Sequence, residues 1–597
     1  MKYLLRFIQP VIMLAFTVAL SGQRPGPAYG PGFIKWIDDN RMLIRLYDEE
    51  KQPADSVDNL VVVDYNCRTG KSVRVEKYRT EMQQLSDLLP EGVTPDPDMA
   101  VASDRQAVVI LREGDLWYYS AGNPEGKRLT DDGPKEMNAR FAPGDRKLAY
   151  TKDKDLYVYD LDSGKETRLT FDATDKIYNG WASWVYMEEI LGRGSRYAAF
   201  WWSPDAGKIA YLHTDDNPVP LYYLNALENS DGTHGRLEIT PYPKPGDPNP
   251  KVKMGVVDLS DGKTTWVKTD ENTDQYLAWP SWTPDSRRLM VQVLNRDQND
   301  MRFILADVST GDFSEVYSET RPTWIDFFED IYVMNAGTGF IVRSYRNDWY
   351  NLYYYGWDGR LISRITDFDW KVTGIAKVDE TRREIYFTGT GTDPLGSHLY
   401  RVRLDGTKLI QITSGDGTHM VSVSPGGYWF LDTWSSLVNP GGMDLIDRKG
   451  KLVRSIHQEE AVPFDPERHQ KYELTKIRTS DGLFDMPALI TWPVGFDPSK
   501  KHPVVFTIYG GPDAGSIRNR WQSPQARWYA ENGIVTINVD HRGSGTFGKK
   551  GLDYVHRCLG KWEISDYADA VKWLRQQPWA DSSRIGITGG SYGGYVT

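Results

Sequence analysis

Between about residue 30 and about residue 460, hydrophobic and polar positions follow a short repeating phrase. A Pro-Asp or Pro-Gly turn leads into a short apolar run, and a second run ends in Asp-x-x-x-Gly. The first half stands in Ala142-Pro-Gly-Asp-Arg-Lys-Leu-Ala-Tyr150, Ser203-Pro-Asp-Ala-Gly-Lys-Ile-Ala-Tyr211, Thr283-Pro-Asp-Ser-Arg-Arg-Leu-Met290 and Ser424-Pro-Gly-Gly-Tyr-Trp-Phe430. The second half stands in Leu156-Tyr-Val-Tyr-Asp-Leu-Asp-Ser-Gly164, Met254-Gly-Val-Val-Asp-Leu-Ser-Asp-Gly262, Phe303-Ile-Leu-Ala-Asp-Val-Ser-Thr-Gly311 and Leu399-Tyr-Arg-Val-Arg-Leu-Asp-Gly406. Pro and Asp preset a type I turn, Asp-Gly closes the next one, and β-branched and aromatic runs between them predict hairpins. Such a unit cannot bury its own face, so units must stack. Recurrence at uneven multiples of roughly 40 to 60 residues predicts a β-propeller with insertions in preference to an array of β-sandwiches. The spacing does not set the number of blades. One short helix is expected around Glu81 to Leu89.

The phrase stops near residue 460, where Glu-Glu, Pro463, Asp465-Pro-Glu and His-Gln-Lys read as a linker. Tyr472 to Ile477 and Pro487 to Trp492 then predict strands. Pro503-Val-Val-Phe-Thr-Ile-Tyr509 is wholly apolar in character, as a buried strand of a mostly parallel sheet requires. Gly533 to Asp540 predicts the next strand, Trp528 to Asn532 the end of a helix. Tyr567, Ala570, Val571 and Leu574 recur at helical spacing within residues 565–577. This alternation is α/β and doubly wound. The expected organisation is a signal peptide over 1–22, a propeller over 23–460 and an α/β-hydrolase domain over 461–597, incomplete at its end.

The last stretch carries the chemistry. Arg584 to Ile587 predicts a short strand, and Gly589-Gly590-Ser591-Tyr592-Gly593 then fits G-x-S-x-G, the nucleophile elbow. Flanking glycines allow a strained strand-to-helix turn that pushes the Ser591 hydroxyl into the open and aims the Tyr592 N–H at a developing oxyanion. The plain alternative is a glycine-rich turn that happens to hold a serine. In this fold the acid and base of the triad follow the nucleophile. Six residues follow Ser591, so the chain reads as one truncated before its Asp and His. A second oxyanion donor is expected after the third strand, which falls at Tyr509-Gly-Gly-Pro512; the tyrosine hydroxyl could serve, or the ring could merely fill a strand end.

Composition narrows the classes. A 597-residue chain exceeds one core. A net charge of −11, with both signs interspersed, argues against nucleic acid and anionic membranes as partners. Lys2 and Arg6, the apolar run Val11 to Leu20 and Ala19-Leu20-Ser21 predict an export signal, with an uncleaved anchor as the alternative. Cys67 and Cys558 are the two cysteines and are not expected to pair, being assigned to different domains. No metal-ligand spacing occurs, and neither a metal nor a cofactor is expected.

One segment interrupts the repeat. Tyr178-Asn-Gly-Trp-Ala-Ser-Trp-Val-Tyr-Met-Glu-Glu-Ile190 places Glu188 and Glu189 side by side among aromatics. In a short irregular helix or loop both carboxylates could reach one ammonium group, which offers three N–H donors. On a regular exposed helix they would be a solvated acidic pair.

Taken together these motifs resemble the dipeptidyl peptidase IV subfamily of the prolyl oligopeptidase serine peptidases. The resemblance is dense in Tyr178 to Ile190, in Phe200-Trp-Trp-Ser-Pro-Asp205 with Asp216-Asn-Pro-Val-Pro-Leu221, in Ile508-Tyr-Gly-Gly-Pro512, and in Asp540-His-Arg-Gly-Ser-Gly545 with the elbow. It implies an eight-bladed propeller capping an α/β-hydrolase. Ser591 would be the nucleophile, Tyr509 and the Tyr592 N–H the oxyanion donors, and Glu188 and Glu189 the holders of a free α-amino group. The glutamates would then act as a ruler for release of N-terminal Xaa-Pro or Xaa-Ala dipeptides. Peptides with a free N-terminus are the implied partners, with homodimerisation as in much of the family. The chain departs from the subfamily at Gly590, where Trp is usual, at Ser183, where Asp is usual, and at Met187, where Glu is usual. Arg112 is the candidate for the family's propeller arginine. Related readings are a prolyl tripeptidyl peptidase and an acylaminoacyl peptidase. Readings of other classes are a propeller binding module with a non-functional hydrolase half and a lipase-like esterase.

Overall fold

The computed structural model describes residues 30–48, 59–131, 136–227, 234–460, 463–523, 525 and 527–597. The expected signal peptide, residues 1–22, lies outside them. Eight antiparallel sheets follow one another along the chain, over residues 32–74, 100–128, 136–168, 177–266, 275–320, 332–364, 372–411 and 418–458. Seven have four strands and the fourth has five. These are the blades of an eight-bladed β-propeller. The fourth blade carries an inserted two-stranded hairpin, Leu221–Ala226 with Arg236–Pro241.

The repeated turn phrase has a local cause. The hydroxyls of Ser203, Thr283 and Ser424 each accept the backbone N–H five residues on, from Lys208, Arg288 and Trp429, at 2.9, 3.1 and 3.0 Å. In the second half of the phrase, the carboxylates of Asp160, Asp258 and Asp307 accept backbone N–H groups of Ser163, Ser260 and Ser309 at 2.8–2.9 Å. The serine hydroxyls donate to the same carboxylates, and these bonds together hold all three carboxyls below their ordinary value, the hydroxyl leading at Asp258 and Asp307 and the N–H at Asp160. The closing Gly164, Gly262 and Gly311 sit at φ 69°, 72° and 77°, which a side chain would oppose.

The described chain divides into two packing units: residues 79–342 with 354–362, and residues up to 78 with 343–353 and 363–597. In the first, adjacent blades share cores. Val109, Leu116, Leu148 and Tyr150 join the second blade to the third, and Met254, Val256, Leu277 and Val291 join the fourth to the fifth. In the second, Tyr386 and Leu399 pack on Phe430 and Ile446 of the last blade. Met42, Ile44 and Val63 of the first blade pack on Leu431, Met443 and Leu445 of the last. The last and first blades thereby close on each other.

The second unit also holds the α/β sheet. Its strands run Lys471–Arg478, Asp485–Trp492, Val535–Val539, His502–Ile508 and Ala580–Gly589 in spatial order. The first two pairings are antiparallel and the last two parallel. Helix Trp562–Arg575 buries Tyr567, Ala570 and Leu574 in one core with Phe506, Ile508, Ile537 and Val539. Each such Leu or Phe contributes about 1.5–3 kcal/mol. The helix expected around Glu81 is Glu81–Ser86, opened by a reciprocal Thr80–Gln83 capping box. Cys67 and Cys558 are free, and burial pushes the Cys67 thiol up to about 12. Among the described residues, no helix is long and apolar enough to cross a membrane.

Candidate active site

Parallel pairing brings two chain segments to the same edge of the α/β sheet. Ile508 stands opposite Gly589, so Tyr509 and Gly590 leave the sheet side by side. The turn that follows is as tight as the sequence predicts. A Cβ on Gly589 would lie 2.5 Å from the Gly593 carbonyl carbon, and one on Gly593 would lie 2.5 Å from the Ile508 carbonyl oxygen and 3.1 Å from the Tyr509 Cα. Two glycines thus let the elbow close on itself and on the neighbouring strand. A Cβ on Gly590, by contrast, would meet nothing within 4 Å.

Ser591 takes φ 54° and ψ −123°, a conformation that costs a residue with a side chain of order 1–3 kcal/mol. It is exposed and precedes helix Tyr592–Val596. As the first residue of that helix, Tyr592 has no intrahelical acceptor for its N–H, which leaves the donor available to an oxyanion. The Tyr509 ring folds over Gly511, where a Cβ would come within 2.5 Å of its Cε1. It remains 38% exposed, and its centroid is 6.3 Å from that of Tyr592. Ser591, Tyr509 and the Tyr592 N–H are therefore gathered at one edge of the sheet.

The elbow is held from below by Glu563, which the motifs do not mark. The Tyr592 hydroxyl donates to Glu563 Oε1 at 2.5 Å, and the Gly560 N–H donates to the same oxygen. Glu563 has no solvent exposure. Arg542 is also fully buried. It forks onto Asp566 through Nε at 3.0 Å and Nη2 at 2.7 Å, reaches Asp481 through Nη1 at 2.9 Å, and lies against Phe484, Tyr554 and Trp562 at 4.5–5.0 Å. Its two carboxylate partners hold the guanidinium above its ordinary value against the cost of burial. The neighbouring Asp540 accepts the N–H groups of Ser516 and Ile517 at 2.9 and 3.1 Å. His541 is buried, and burial pushes its imidazole below the ordinary value. Its Nδ1 accepts the Gly543 N–H at 3.1 Å. Among the described residues no histidine or carboxylate hydrogen-bonds to Ser591. The Arg542–Asp566 pair had a sequence signal in Asp540-His-Arg and the acidic face of residues 563–569, which periodicity alone does not connect.

Glu188 and Glu189 lie in a π-turn, Tyr186–Ile190, a wide winding common at functional sites. Its start is fixed by buried Ser183 and Tyr186. The Met187 N–H donates to the Ser183 carbonyl at 3.0 Å, and the Tyr186 hydroxyl accepts the Leu277 N–H at 3.2 Å. Arg193, five residues on, grips both oxygens of Glu188 through Nε at 2.7 Å. Glu189 reaches solvent. Partial burial and then the adjacent Glu188 charge hold its carboxyl above the ordinary value, while Arg193 opposes them. Arg112 is engaged elsewhere, donating to the Tyr119 hydroxyl at 3.4 Å and lying 5.3 Å over the Trp117 ring. The cation on the acidic pair is thus Arg193, a residue the sequence reading passed over.

Among the described residues, no group of three or more His, Cys, Asp or Glu is placed to hold a metal ion. Residues 111–441 match the family profile of the dipeptidyl peptidase IV N-terminal region, and residues 520–597 match that of the prolyl oligopeptidase family. Dipeptidyl peptidase 4 of Arthroderma otae is 31% identical over 487 residues, covering 77% of this chain and 61% of that protein. A probable dipeptidyl peptidase 4 of Trichophyton verrucosum is 31% identical over 486 residues, covering 77% of this chain and 63% of that protein. The chain thus spans about three-fifths of the length of these curated relatives. The crystal structure of Porphyromonas gingivalis dipeptidyl peptidase 4 superposes with a TM-score of 0.76 at 24% identity, covering 97% of this chain and 82% of the other, a likeness of fold. With a profile match over more than half its length, the chain belongs to the dipeptidyl peptidase IV family of prolyl oligopeptidase-type proteins.

Proposed function

We propose that this chain, completed by a downstream Asp and His, is an exported serine exopeptidase that releases N-terminal dipeptides, with Pro or Ala in the second position. The observation that carries the reading is the elbow: a serine at φ 54° between two glycines that admit no Cβ, with Tyr509 delivered beside it by strand register. A binding protein has no use for that strain. We assign 23–460 to the propeller and 461–597 to the hydrolase domain.

In this mechanism Ser591 Oγ attacks the carbonyl carbon of the second residue as His takes its proton. The carbonyl oxygen becomes an oxyanion that the Tyr592 N–H and the Tyr509 hydroxyl stabilise, each donor being worth several kcal/mol (about 2.7–4) where such groups have been removed. His then protonates the leaving amine, and water releases the dipeptide from the acyl-enzyme. Glu188 and Glu189 take the free α-ammonium group. Arg193 keeps the Glu188 carboxylate oriented, and Glu189 supplies the unpaired charge. Export rests on Lys2, Arg6 and the apolar run to Leu20.

The test compares kcat/KM for Gly-Pro-anilide with that for its N-acetyl derivative on the protein with a complete triad. A strong preference for the free amine supports the reading. Equal rates, or preference for the acetylated substrate, remove the amine site. The Arg193–Glu188 pair favours one second reading, an acylaminoacyl peptidase, because it neutralises one of the two carboxylates; preference for the acetylated substrate is its signature.

A further inference from the structure

Tyr509 follows the strand His502–Ile508, and the next two residues are glycines with no side chain to anchor them. Gly510 takes φ 84° and Asp513 φ 51°. Where a non-glycine residue holds that conformation, its surroundings must fix it. Asp513 is fixed from two directions. Its N–H donates to the Gly543 carbonyl at 3.0 Å, inside the α/β domain. Its carboxylate points at the propeller: Oδ1 accepts Lys371 Nζ at 2.6 Å, and Oδ2 accepts the Tyr345 hydroxyl at 3.3 Å. Gly545 lies so close that a Cβ there would fall 1.9 Å from Asp513 Oδ1.

Lys371 precedes strand Val372–Asp379, and Tyr345 follows strand Gly339–Ser344. Both are propeller residues of the same packing unit as Asp513. The side chains of Lys371 and Asp513 are 22% and 28% exposed, so solvent screens their attraction less than on an open surface. Tyr345 is braced in turn, stacking on Tyr350 at 3.6 Å, and Lys371 Nζ lies 5.5 Å from that ring.

We propose that Lys371, seconded by Tyr345, is a positioning residue for Tyr509: a propeller side chain that, through Asp513, sets where the oxyanion-donating hydroxyl stands. The proposal rests on the reading of Ser591 and Tyr509 as nucleophile and oxyanion donor. A displacement of the hydroxyl leaves ground-state binding intact and weakens a contact made to the oxyanion, so the loss belongs in kcat.

The experiment measures kcat and KM for Gly-Pro-anilide on the complete protein, with thermal unfolding of every variant. Lys371→Met and Asp513→Asn are expected to lower kcat about 10- to 100-fold with KM within about twofold. Lys371→Arg keeps most of the activity, and the reversed pair Lys371→Asp with Asp513→Lys recovers part of what either loses. Tyr345→Phe removes a single hydroxyl and keeps the ring packing, so it reports the same effect on a smaller scale if Lys371→Met fails to fold. In a Tyr509→Phe background, Lys371→Met costs nothing further. Unchanged kcat in Lys371→Met and Tyr345→Phe, or a full additional loss in the Tyr509→Phe background, overturns the proposal. Unchanged kcat in Tyr509→Phe itself overturns the assignment of Tyr509, a failure distinct from that of Lys371.

Discussion

Glu563, sealed from solvent on helix Trp562–Arg575, accepts the hydroxyl of Tyr592, the residue next to Ser591, at 2.5 Å. In the proposed mechanism the tyrosine offers its backbone N–H to the oxyanion, while its side chain is tied to Glu563. Tyr592→Phe strands a buried carboxylate with fewer donors, and the expected cost is about 1.5–3 kcal/mol, the range for a hydrogen bond to a charged group. Glu563→Gln keeps an acceptor oxygen and is expected to cost less than half as much. Urea unfolding of the two variants checks the order.

The elbow glycines separate into two that are demanded, Gly589 and Gly593, and one that is free, Gly590. Gly593→Ala drives a methyl group against the Ile508 carbonyl and the Tyr509 backbone, with an expected cost of about 1–3 kcal/mol. In the protein with a complete triad, Ser591 labelling by a fluorophosphonate should slow with it. Gly590 faces open space, so Gly590→Ala should stay within about 0.5 kcal/mol and label normally. Equal damage from both would refute the close approach of Gly593 to the strand.

The propeller, the α/β sheet and the elbow were legible because each rests on local rules. Ser203, Thr283 and Ser424 cap the turns they belong to, and the elbow needs its glycines whatever surrounds it. A second repeated signal was missed. Arg128-Leu-Thr130 and Arg168-Leu-Thr170 recur, and the hydroxyls of Thr130 and Thr170 accept the N–H groups of Leu116 and Leu156, each at 2.9 Å. The Arg128 and Arg168 guanidinium groups reach Asp115 and Asp155. Partners that lie far apart in the chain were out of reach. Asp513 meets Lys371 across 142 positions, and no periodicity links them. Arg193 is a different case: it stands five residues from Glu188, a spacing that a regular helix leaves unpaired, and lies beyond the π-turn in the short helix Arg193–Ser195 after Gly192 at φ 75°.

Arg542 and Asp566 form a wholly buried fork with aromatic faces around the guanidinium. Arg542→Lys loses the planar fork and the stacking together. Breaking a buried pair strands its partner, so the expected loss is about 3–5 kcal/mol, with Asp566→Asn in the same range. Replacing both by apolar residues should cost much less than the sum of the single changes. Denaturant unfolding of the two singles and the double measures the coupling.

If the acidic pair holds the α-amino group as proposed, it sets a pH limit on amine recognition. Glu189 is held above its ordinary value, by burial first and by Glu188 second. Below its pKa the carboxyl is neutral and no longer attracts an ammonium group. The ratio of kcat/KM for free-amine over acetylated substrate, in which the triad histidine cancels, should therefore fall on acidification at a pH above about 4.3, the ordinary Glu value. Arg193→Met removes the cation that opposes the shift and should move this limb upward, whereas Glu188→Gln should move it downward. A limb that stays put in both variants would separate Glu189 from amine binding.

Stability should carry a second pH signature, from the last two blades. His398 Nδ1 lies 3.2 Å from the Thr413 hydroxyl, and its ring is 4.7 Å from that of His419, which pairs with Asp432 at 2.7 Å. Burial, and then the neighbouring His419, push His398 down to about 4 from an unfolded value of 6.5. Between those two values the unfolded chain binds a proton that the folded one refuses, so His398 makes stability rise with pH through that window and fall as pH drops. The shift corresponds to at most about 3 kcal/mol. Asp432 works in the opposite sense, because burial raises its carboxyl and the folded state then holds the extra proton. Comparing unfolding of the parent and His398→Asn from pH 4.5 to 7 isolates the histidine. The parent should lose more stability than the variant as pH falls toward 4.5, and parallel curves would mean that His398 titrates normally in the folded protein.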